Sequence, residues 1–362
     1  MGMGRFGFII HPLSVREDVA RKYPIARLLP ERAVEWAIKH MRPRVVSHIT
    51  GVRSATGAET EGWFVGCPLS PRQFLTLPVD FVIGKVIEAG RVAQEAGAKI
   101  VGLGAFTSVV GDAGISINDA LEIAVTTGNS YTVATAVQGA FQAAELMGHR
   151  TGEAVGAVVG ATGSIGRVCS QMMAEVLPQL ILVGLEERPL RALAEQLSAK
   201  TQVSVSLDGT SALRAADIVV TVTSAVDTVI NAEDLKPGAV VCDVARPRDV
   251  SRQVAEQRQD VLVVEGGVVA VPGDVEFGFD FGFPPKTAYA CMSETMILAL
   301  EGRYEPFSLG RELSLERVRE IAALADKHGF RLAGFRSFER AVTDADIDRA
   351  RTAAAAAARV GS

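Results

Sequence analysis

The sequence has few cysteines, no long apolar run and no excess of positive charge. Its four cysteines (Cys67, Cys169, Cys242 and Cys291) are scattered without a C-x-x-C pair, which argues against a zinc knuckle or disulfide frame and fits a reduced, cytoplasmic protein. No stretch approaches the roughly 18 consecutive apolar residues of a membrane span, and the first residues lack the layout of a signal peptide. The net charge of −5 argues against a protein built mainly to bind nucleic acid.

Strand-like and helix-like spacings of apolar residues alternate along the chain, which predicts an α/β protein. The 362 residues suggest two or three domains, and a composition of 48% hydrophobic and 22% charged residues favours packed cores. Strand-like runs at 5–10, 61–66 and 99–106 accompany a helix expected from Val79 to Ala96, with Gly97 as its stop. Strand, helix and strand in succession predict an N-terminal α/β substrate domain.

A second series of strands begins near Glu153 and predicts a doubly wound Rossmann domain. Helical segments lie between several of its strands, as a parallel sheet requires. The strand-like runs are residues 154–160, 180–183, 217–222, 239–243 and 261–264. A long helix from Ser130 to Met147 precedes this series, and we expect it to link two domains.

The C-terminal part is expected to be helical. Residues 273–285 are rich in Gly, Phe and Pro and resemble a loop, after which Pro284-Pro285 should open a helix that Gly302 closes. The Ala-rich tail from Thr343 should form another helix. The expected domains are 1–130 for the substrate, 131–283 for the cofactor with its linker helix, and 284–362 for a helical segment that carries the candidate nucleophile.

A glycine-rich turn is the most informative local motif of the chain. It consists of Gly160, Ala161, Thr162, Gly163, Ser164, Ile165 and Gly166. An apolar strand precedes it and a helix follows, so its backbone N–H groups could approach a pyrophosphate at the positive end of the helix. A second strand ends about 20 residues later. We therefore expect NADPH or NADH here, with a merely structural glycine turn as the alternative.

The turn after the second Rossmann strand should influence the choice between the two cofactors. An acidic residue such as Glu186 favours the free 2′-hydroxyl of NADH, whereas Arg188 favours the 2′-phosphate of NADPH. The two residues therefore give opposite indications. An ordinary solvated turn explains them equally well.

Cys291 is a candidate nucleophile because it lies near the start of a proposed helix. A thiol near a helix N-terminus can have a lowered pKa and react as a thiolate. Its apolar neighbours, however, are more typical of a small core residue. Cys169 and Cys242 resemble core residues, while Cys67 precedes Pro68 in a loop and stays open as a second candidate.

Two further segments could contribute polar groups to a cleft. His11 follows the first strand, where an ordinary strand-end histidine is the favoured interpretation. Thr126, Thr127 and Asn129 lie in a polar turn before the long helix. They could cap this helix, or they could contact substrate or nicotinamide between the domains.

Nine segments together resemble the cyanobacterial long-chain acyl-acyl carrier protein reductases, which convert fatty acyl thioesters into fatty aldehydes. They occur in the order of that family and reach about residue 335. The segments are FGFIIHPLS at 6–14, HITGVRSATG at 48–57, GLGAFTSVV at 102–110, TTGNSYT at 126–132, GATGSIG at 160–166, EGGVV at 265–269, ACMSETMILALEG at 290–302, FSLGRELS at 307–314 and KHGF at 327–330.

The resemblance implies a shikimate-dehydrogenase-like architecture of substrate domain and cofactor domain, with a C-terminal helical part that returns to the cleft. It also implies that Cys291 is the nucleophile that takes up the acyl group. The implied substrate is a fatty acyl thioester of acyl carrier protein or coenzyme A, and an aldehyde-consuming enzyme is an expected partner. No nucleic acid, membrane span or metal is expected.

Some features depart from the family pattern. The family has an arginine suited to NADPH just after the second Rossmann strand, whereas this chain has Leu185 followed by Glu186. The GFDFGFPP stretch at 278–285 and the Ala-rich tail also differ. Two other functions stay open: a shikimate-dehydrogenase-like NAD(P)-dependent dehydrogenase without covalent catalysis, and a nucleotide-sensing regulator.

Overall fold

The computed structural model describes residues 3–12, 15–223, 225, 229–245, 248–266, 268–338 and 340–360. Leu13, Ser14 and Gly267 belong to segments that carry the resemblance and lie outside the described residues. The chain divides into two compact units. Unit 1 comprises Met1–Ser130, Ala270–Glu312 and Glu320–Arg331, and unit 2 comprises Tyr131–Val269, Leu313–Arg319 and Leu332–Ser362. The three domains expected from the sequence stay a prediction.

Strands and helices alternate through most of the described chain. The strands are β1 (Gly4–Ile10), β2 (Arg44–Arg53), β3 (Glu59–Gly66), β4 (Ile100–Gly102), β5 (Ala124–Thr126), β6 (Val155–Val159), β7 (Gln179–Val183), β8 (Gln202–Ser206), β9 (Ile218–Thr221), β10 (Val240–Asp243), β11 (Leu262–Glu265), β12 (Val268–Ala270), β13 (Gly273–Glu276), β14 (Thr287–Tyr289), β15 (Arg331–Leu332), β16 (Arg336–Ser337) and β17 (Arg340–Ala341). The helices are α1 (Val15–Lys22), α2 (Glu31–Lys39), α3 (Pro71–Thr76), α4 (Val79–Glu95), α5 (Phe106–Val109), α6 (Ile115–Asp119), α7 (Asn129–Leu146), α8 (Ser164–Met173), α9 (Glu187–Leu197), α10 (Gly209–Ala215), α11 (Arg252–Gln257), α12 (Ala290–Glu301), α13 (Leu315–His328) and α14 (Asp344–Val360), with short 3-10 helices at Pro24–Leu28 and Ala232–Asp234.

Unit 1 is built on a mixed six-stranded sheet in the order β13-β2-β3-β1-β4-β5. The strands β3, β1, β4 and β5 are parallel. At one edge β2 pairs antiparallel with β3, and β13 pairs antiparallel with β2. Because parallel strands end at the same edge, the residues that follow β1, β4 and β5 lie near one another. The register confirms this: Phe8 pairs with Gly102, and Gly102 pairs with Thr126.

Helix α12 lies close against this sheet because glycines leave room for it. A side chain at Gly4 would overlap the carbonyl oxygen of Ala299, and one at Gly102 would overlap the side chain of Thr295. Residues 292–300 of α12 are all buried. A helix that is buried all round is a core helix, so the late segment that carries Cys291 is part of the core of unit 1.

Unit 2 contains a fully parallel sheet in the order β11-β10-β9-β6-β7-β8. With β6 as the first strand of the unit, this is the strand order of a doubly wound dinucleotide-binding fold. The central strands are apolar on both faces, as a sheet covered by helices requires. The predicted α/β fold with a Rossmann domain is therefore confirmed.

Most predicted elements are present, but the entry into α12 was wrong. Pro284-Pro285 do not open the helix, because both the backbone N–H and the hydroxyl of Thr287 bond to the carbonyl oxygen of Pro284 and close a turn there. The chain then forms β14, and α12 begins only at Ala290. The end was right: Gly302 closes α12 with a φ of +70°.

Candidate active site

Cys291 is the second residue of α12, at the N-terminal end of a buried helix. Two glycines bound the space around it. Gly128 follows β5 with a φ of +75°, and a Cβ there would overlap the Cα and Cβ of Cys291. A Cβ at Gly104, which follows β4, would lie 3.6 Å from the Cys291 Sγ and 2.7 Å from the ring of Phe8. The thiol therefore lies against bare backbone from two strand ends.

The four cysteines differ in their exposure to solvent. Cys67, Cys169 and Cys242 are buried, whereas Cys291 is partly exposed. Burial raises the pKa of the Cys67 thiol to about 12 and that of the Cys169 thiol to about 12, so both are protonated near neutral pH. Only the Cys291 thiol combines partial exposure with a position at the start of a helix.

A buried polar network lies beside Cys291 and fixes the start of α12. Glu294, one helical turn after Cys291 and fully buried, accepts hydrogen bonds from the hydroxyls of Thr126 and Ser308, the latter at 2.8 Å. Ser308 also lies 2.7 Å from the Ser130 hydroxyl, and Thr127 donates to the Ser308 carbonyl oxygen. A buried carboxylate needs such partners, and this network ties α12 to the end of β5.

The predicted turn at 126–129 thus divides into two parts. Thr126 and Thr127 are buried and support the helix that carries Cys291. Asn129 begins α7 and is partly exposed. Sequence reasoning missed Glu294 and Ser308, although both lie in segments that carry the resemblance. The available signal was an acidic residue, Glu294, within the otherwise uncharged stretch 290–300.

His11 lies after β1, at the same sheet edge as Gly104 and Gly128. Its ring packs against Phe74 and Phe106, with ring centroids 4.9 Å and 5.7 Å away. Burial lowers its pKa to about 4, so the ring is neutral near pH 7. Its Nδ1 lies 3.1 Å from the Pro12 carbonyl oxygen, which can only accept, so Nδ1 carries the proton. The buried Nε2 is left as an acceptor without a partner.

The glycine-rich turn of unit 2 has the geometry that an anion site requires. Gly160 has a φ of +83°, and the N–H groups of Gly160 and Ala161 both donate to the Val183 carbonyl oxygen at 3.0 Å. A Cβ at Gly166 would overlap the Gly160 carbonyl oxygen, so Gly166 is required by the turn itself. Gly163 has an ordinary φ of −66°, is exposed, and caps α8 without a side-chain hydrogen bond.

This geometry fits a pyrophosphate. The first N–H groups of a helix have no partner within the helix, and here α8 begins directly after Gly163. The remaining residues of the predicted motif, Thr162, Ser164 and Ile165, are partly exposed around this helix start. The hydrogen bonds to Val183 also bring the turn beside the end of β7, where a dinucleotide would continue.

The turn after β7 is open to solvent. Leu185 is 97% exposed, and Glu186 and Arg188 are exposed on either side of the start of α9. Glu187, not Glu186, pairs with a basic residue, since it accepts from Arg191 at 2.6 Å. Glu186 and Arg188 are therefore both exposed to solvent at the edge where a ribose would lie. The position of Glu186 does not exclude NADPH, and the position of Arg188 does not exclude NADH.

A buried acidic residue, Asp249, accepts hydrogen bonds at the end of the neighbouring strand β9. Asp249 accepts from the hydroxyls of Thr221 and Thr223 and from the Thr223 N–H at 3.0 Å. The backbone of Thr223 lies next to Gly160. Sequence reasoning did not single out these residues, because threonine and aspartate after a strand are common in ordinary turns.

Comparisons with known proteins agree with the architecture. A family model described as "Shikimate / quinate 5-dehydrogenase" matches residues 142–265. Aminotransferase PigE of Serratia sp. is 33% identical over 342 residues, and the match spans 90% of this chain but only 39% of that protein. Long-chain acyl-[acyl-carrier-protein] reductase of Synechococcus elongatus is 29% identical over 342 residues, 90% of this chain and 98% of that protein.

Among solved structures, L-tryptophan dehydrogenase from Nostoc punctiforme aligns with a TM-score of 0.38 and 11% identity, over 99% of this chain and 90% of that chain. The match of residues 142–265 to the dehydrogenase family model supports an NAD(P)-dependent oxidoreductase of Rossmann type, and the predicted cofactor, NADPH or NADH, is confirmed. In the part of the chain that the structure describes, no helix is long and apolar enough to cross a bilayer, and no group of three His, Cys, Asp or Glu side chains suits a metal ion.

Proposed function

We propose that the protein reduces a fatty acyl thioester to a fatty aldehyde, with Cys291 as nucleophile and NADPH or NADH as reductant. The observation that carries this proposal is the contrast among the cysteines. Three thiols are buried, while the Cys291 thiol is partly exposed at the start of α12 against the backbone of Gly128. The similarity to a long-chain acyl-[acyl-carrier-protein] reductase over nearly all of that protein supports it.

The chemistry needs one covalent intermediate on the protein. The Cys291 thiolate attacks the carbonyl carbon of the thioester, a new S–C bond forms, and the carrier leaves as a thiolate that takes up a proton. NADPH or NADH, when bound, would supply the hydride for the acyl carbon. Collapse of the resulting hemithioacetal anion breaks the S–C bond, releases the aldehyde and restores the Cys291 thiolate. One thioester, one hydride and one proton thus give one aldehyde and one free carrier thiol.

The residues around Cys291 have separate roles in the proposed reaction. The N-terminal end of α12 favours negative charge on the thiolate and on the carbonyl oxygen during attack. Glu294 acts as a positioning residue, because its carboxylate accepts from Thr126 and Ser308 and holds the first turn of α12 in place. The neutral His11 at the same edge offers Nε2 as an acceptor for a hydroxyl or water.

The proposed surface for the acyl chain is an aromatic series that ends two residues before Cys291. The rings of Phe277, Phe281, Phe283 and Tyr289 contact one another in sequence, with centroids between 4.2 Å and 5.3 Å apart. Tyr289 is two residues before Cys291, and Phe281, Phe283 and Tyr289 are partly exposed. We assign the segment 277–289, which contains the GFDFGFPP stretch at 278–285 that departs from the reductase pattern, to selection of the acyl chain.

In unit 2 the glycine turn would hold the cofactor. The N–H groups at the start of α8 would bind the pyrophosphate, and the exposed Glu186 and Arg188 would be the residues near the adenosine ribose. Because Glu186 favours NADH and Arg188 favours NADPH, we propose that the protein discriminates only weakly between the two cofactors. The carrier, acyl carrier protein or coenzyme A, and an aldehyde-consuming partner stay predictions.

The test of this proposal is acylation of the protein in the absence of reduced cofactor. The purified chain is incubated with palmitoyl thioesters of acyl carrier protein and of coenzyme A, and the intact mass and the modified peptide are measured. We expect one acyl group, on Cys291, which disappears as aldehyde when NADPH or NADH is added. An acyl group on Cys67, or aldehyde formed without any adduct on Cys291→Ala, would overturn the covalent mechanism.

A dehydrogenase without covalent catalysis is the second candidate, because the matched family model describes shikimate and quinate dehydrogenases. In that case Cys291 is a packing residue only. Cys291→Ala would then retain turnover with a hydroxy-acid or amine substrate, and thioesters would not react with the protein. A nucleotide-sensing regulator would bind cofactor and turn over neither class of substrate.

A further inference from the structure

Residues 23–42 of unit 1 expose large apolar side chains to an extent that folding alone does not explain. We call them the basic-apolar segment; it includes the short 3-10 helix Pro24–Leu28 and α2. Within it Leu28 is 84% exposed, Trp36 66% and Ile25 65%. Single exposed apolar residues are ordinary, but several within a dozen residues mark an interaction surface.

The inner face of this segment packs in a small core of its own, and the exposed apolar side chains are not part of that core. Ala26, Val34 and Ile38 pack together with Val15 in a small cluster of their own. Trp36 lies two residues from Val34 and two from Ile38, which on an α-helix places it on the opposite side. The exposed apolar side chains therefore form a second, outward face.

Basic residues are interleaved with this outward face. Arg27, Arg32 and Arg42 are exposed and Lys39 is partly exposed, whereas Glu31 is the one exposed acidic residue of the segment. The other, Glu35, is buried and bonds to Ser70 and Arg72. The chain as a whole carries a net charge of −5. A local excess of positive charge on an acidic protein points to an anionic partner.

We propose that the basic-apolar segment binds the surface of an anionic lipid bilayer. Trp and aliphatic side chains on one face with Arg and Lys beside them are the composition of interfacial segments, which insert their apolar groups into the headgroup region. A side chain that is 84% exposed protrudes. A fluid bilayer accepts such groups without a matching pocket, whereas a folded acidic protein would need one.

The experiment uses the full chain and two kinds of vesicle. Vesicles of phosphatidylcholine alone are compared with vesicles of equal parts phosphatidylcholine and phosphatidylglycerol, by co-sedimentation and by tryptophan emission. The chain has only two tryptophans, and Trp63 is partly buried, whereas Trp36 is 66% exposed and touches only the ring of His40 among aromatic side chains of the described residues. We expect co-sedimentation with the anionic vesicles only, a blue shift that disappears in Trp36→Phe, and weaker binding as salt increases.

Variants separate the parts of the surface. Leu28→Ser combined with Trp36→Ser should weaken vesicle binding about a hundredfold, since each side chain loses the burial of a large apolar group. Arg27→Glu combined with Arg32→Glu should also abolish the preference for anionic vesicles. Leu207→Ser is the matched control, because Leu207 is 56% exposed in unit 2 and should leave binding unchanged. All of these positions are exposed, so thermal unfolding should stay within a few degrees of the parent.

Three results would overturn the proposal. The first is no co-sedimentation and no blue shift with anionic vesicles while the chain is folded. The second is equal binding to both vesicle types. The third is a concentration-dependent dimer or a complex with acyl carrier protein that Leu28→Ser with Trp36→Ser disrupts in the absence of lipid binding, which would assign the segment to a protein partner.

Discussion

The glycine turn of unit 2 and the Cys291 site of unit 1 use glycine for different purposes. In the turn, seven consecutive residues shape one backbone loop, and its glycines serve that loop and the helix that follows. At Cys291, Gly104 and Gly128 come from two separate strand ends and make room for a residue more than 150 positions later in the chain. The first site is local and the second is assembled by folding, and the two should respond differently to substitution.

The largest expected effect is that of Cys291→Ser on turnover. A serine hydroxyl is far less nucleophilic than a thiolate at neutral pH, so aldehyde formation should fall by about a thousandfold or more. Cofactor binding, measured by calorimetry, should be unchanged. Cys67→Ser is the control, and its rate per folded molecule should stay close to the parent because Cys67 is fully buried. Near-native turnover of Cys291→Ser would contradict the assignment of Cys291 as the nucleophile.

The second effect is on cofactor affinity. Gly163 is exposed and has an ordinary φ, and a Cβ there would lie 3.3 Å from the Gly160 carbonyl oxygen, so Gly163→Val should need only a small shift of the turn to keep unit 2 folded, while its side chain blocks the approach of the pyrophosphate to α8. We expect affinity for NADPH and NADH to fall by about a hundredfold, or roughly 2.7 kcal/mol. Gly152→Val, at a glycine of unit 2 with no neighbour within 4 Å, is the control. Equal affinities for the two variants would contradict the assignment of the turn.

The third effect separates two reasons for a glycine: a positive φ, and a lack of room for a side chain. Gly57 and Gly128 both have positive φ in unit 1, but a Cβ at Gly57 meets nothing within 4 Å, while one at Gly128 overlaps Cys291. Gly57→Ala should cost about 1 kcal/mol of stability from backbone strain alone. Gly128→Ala should cost more in denaturant unfolding and also lower kcat, because α12 must move. Equal losses for the two variants would mean that the Gly128 contact is unimportant.

The fourth effect depends on pH and belongs to unit 1 only. The pKa of His11 is lowered from 6.5 to about 4 by burial, so between these values the unfolded chain binds a proton that the folded chain does not. The contribution of His11 to stability is therefore complete above about pH 6.5 and declines as the pH falls towards 4. Thermal unfolding of His11→Gln should show a weaker loss between those pH values than the parent. Parallel curves would refute the buried, neutral state of His11.

The smallest effect concerns cofactor choice at the turn after β7. Arg188→Gln should lower kcat/KM for NADPH several-fold, and Glu186→Gln should raise it by a similar factor, since both side chains are exposed and solvent screens their charge. Values for NADH should barely change with Arg188→Gln. A thousandfold preference of the parent for NADPH would show that another group binds the 2′-phosphate.

Much of the Rossmann unit was readable from the sequence because its evidence is contiguous. The apolar runs at β6, β7, β9, β10 and β11 and the glycine turn each lie within a few residues. The exposed strand β8 and the ten-residue strand β2 were missed, because half-exposed strands carry polar residues and lack a continuous apolar run.

The Cys291 site could be predicted only in part for the same reason. Local sequence favoured a core cysteine, and the nucleophile assignment came from the resemblance. The bonds from Thr126 and Ser308 to Glu294 join residues 168 and 14 positions apart, a distance that no periodicity spans. The turn at Thr287 that delays α12 depends on a hydrogen bond to a proline carbonyl, which proline content alone does not reveal.

The discontinuity of unit 1 has a consequence for synthesis on the ribosome. The first 130 residues supply five of the six strands of its sheet. Helix α12 (Ala290–Glu301), which is part of the core of unit 1, is synthesised after every strand of the sheet of unit 2. Domains tend to fold as units while the chain emerges. Unit 1 must therefore wait, with its core incomplete, until the parallel sheet of unit 2 has been translated, and the proposed nucleophile Cys291 reaches its place only after the strands of that sheet have left the ribosome.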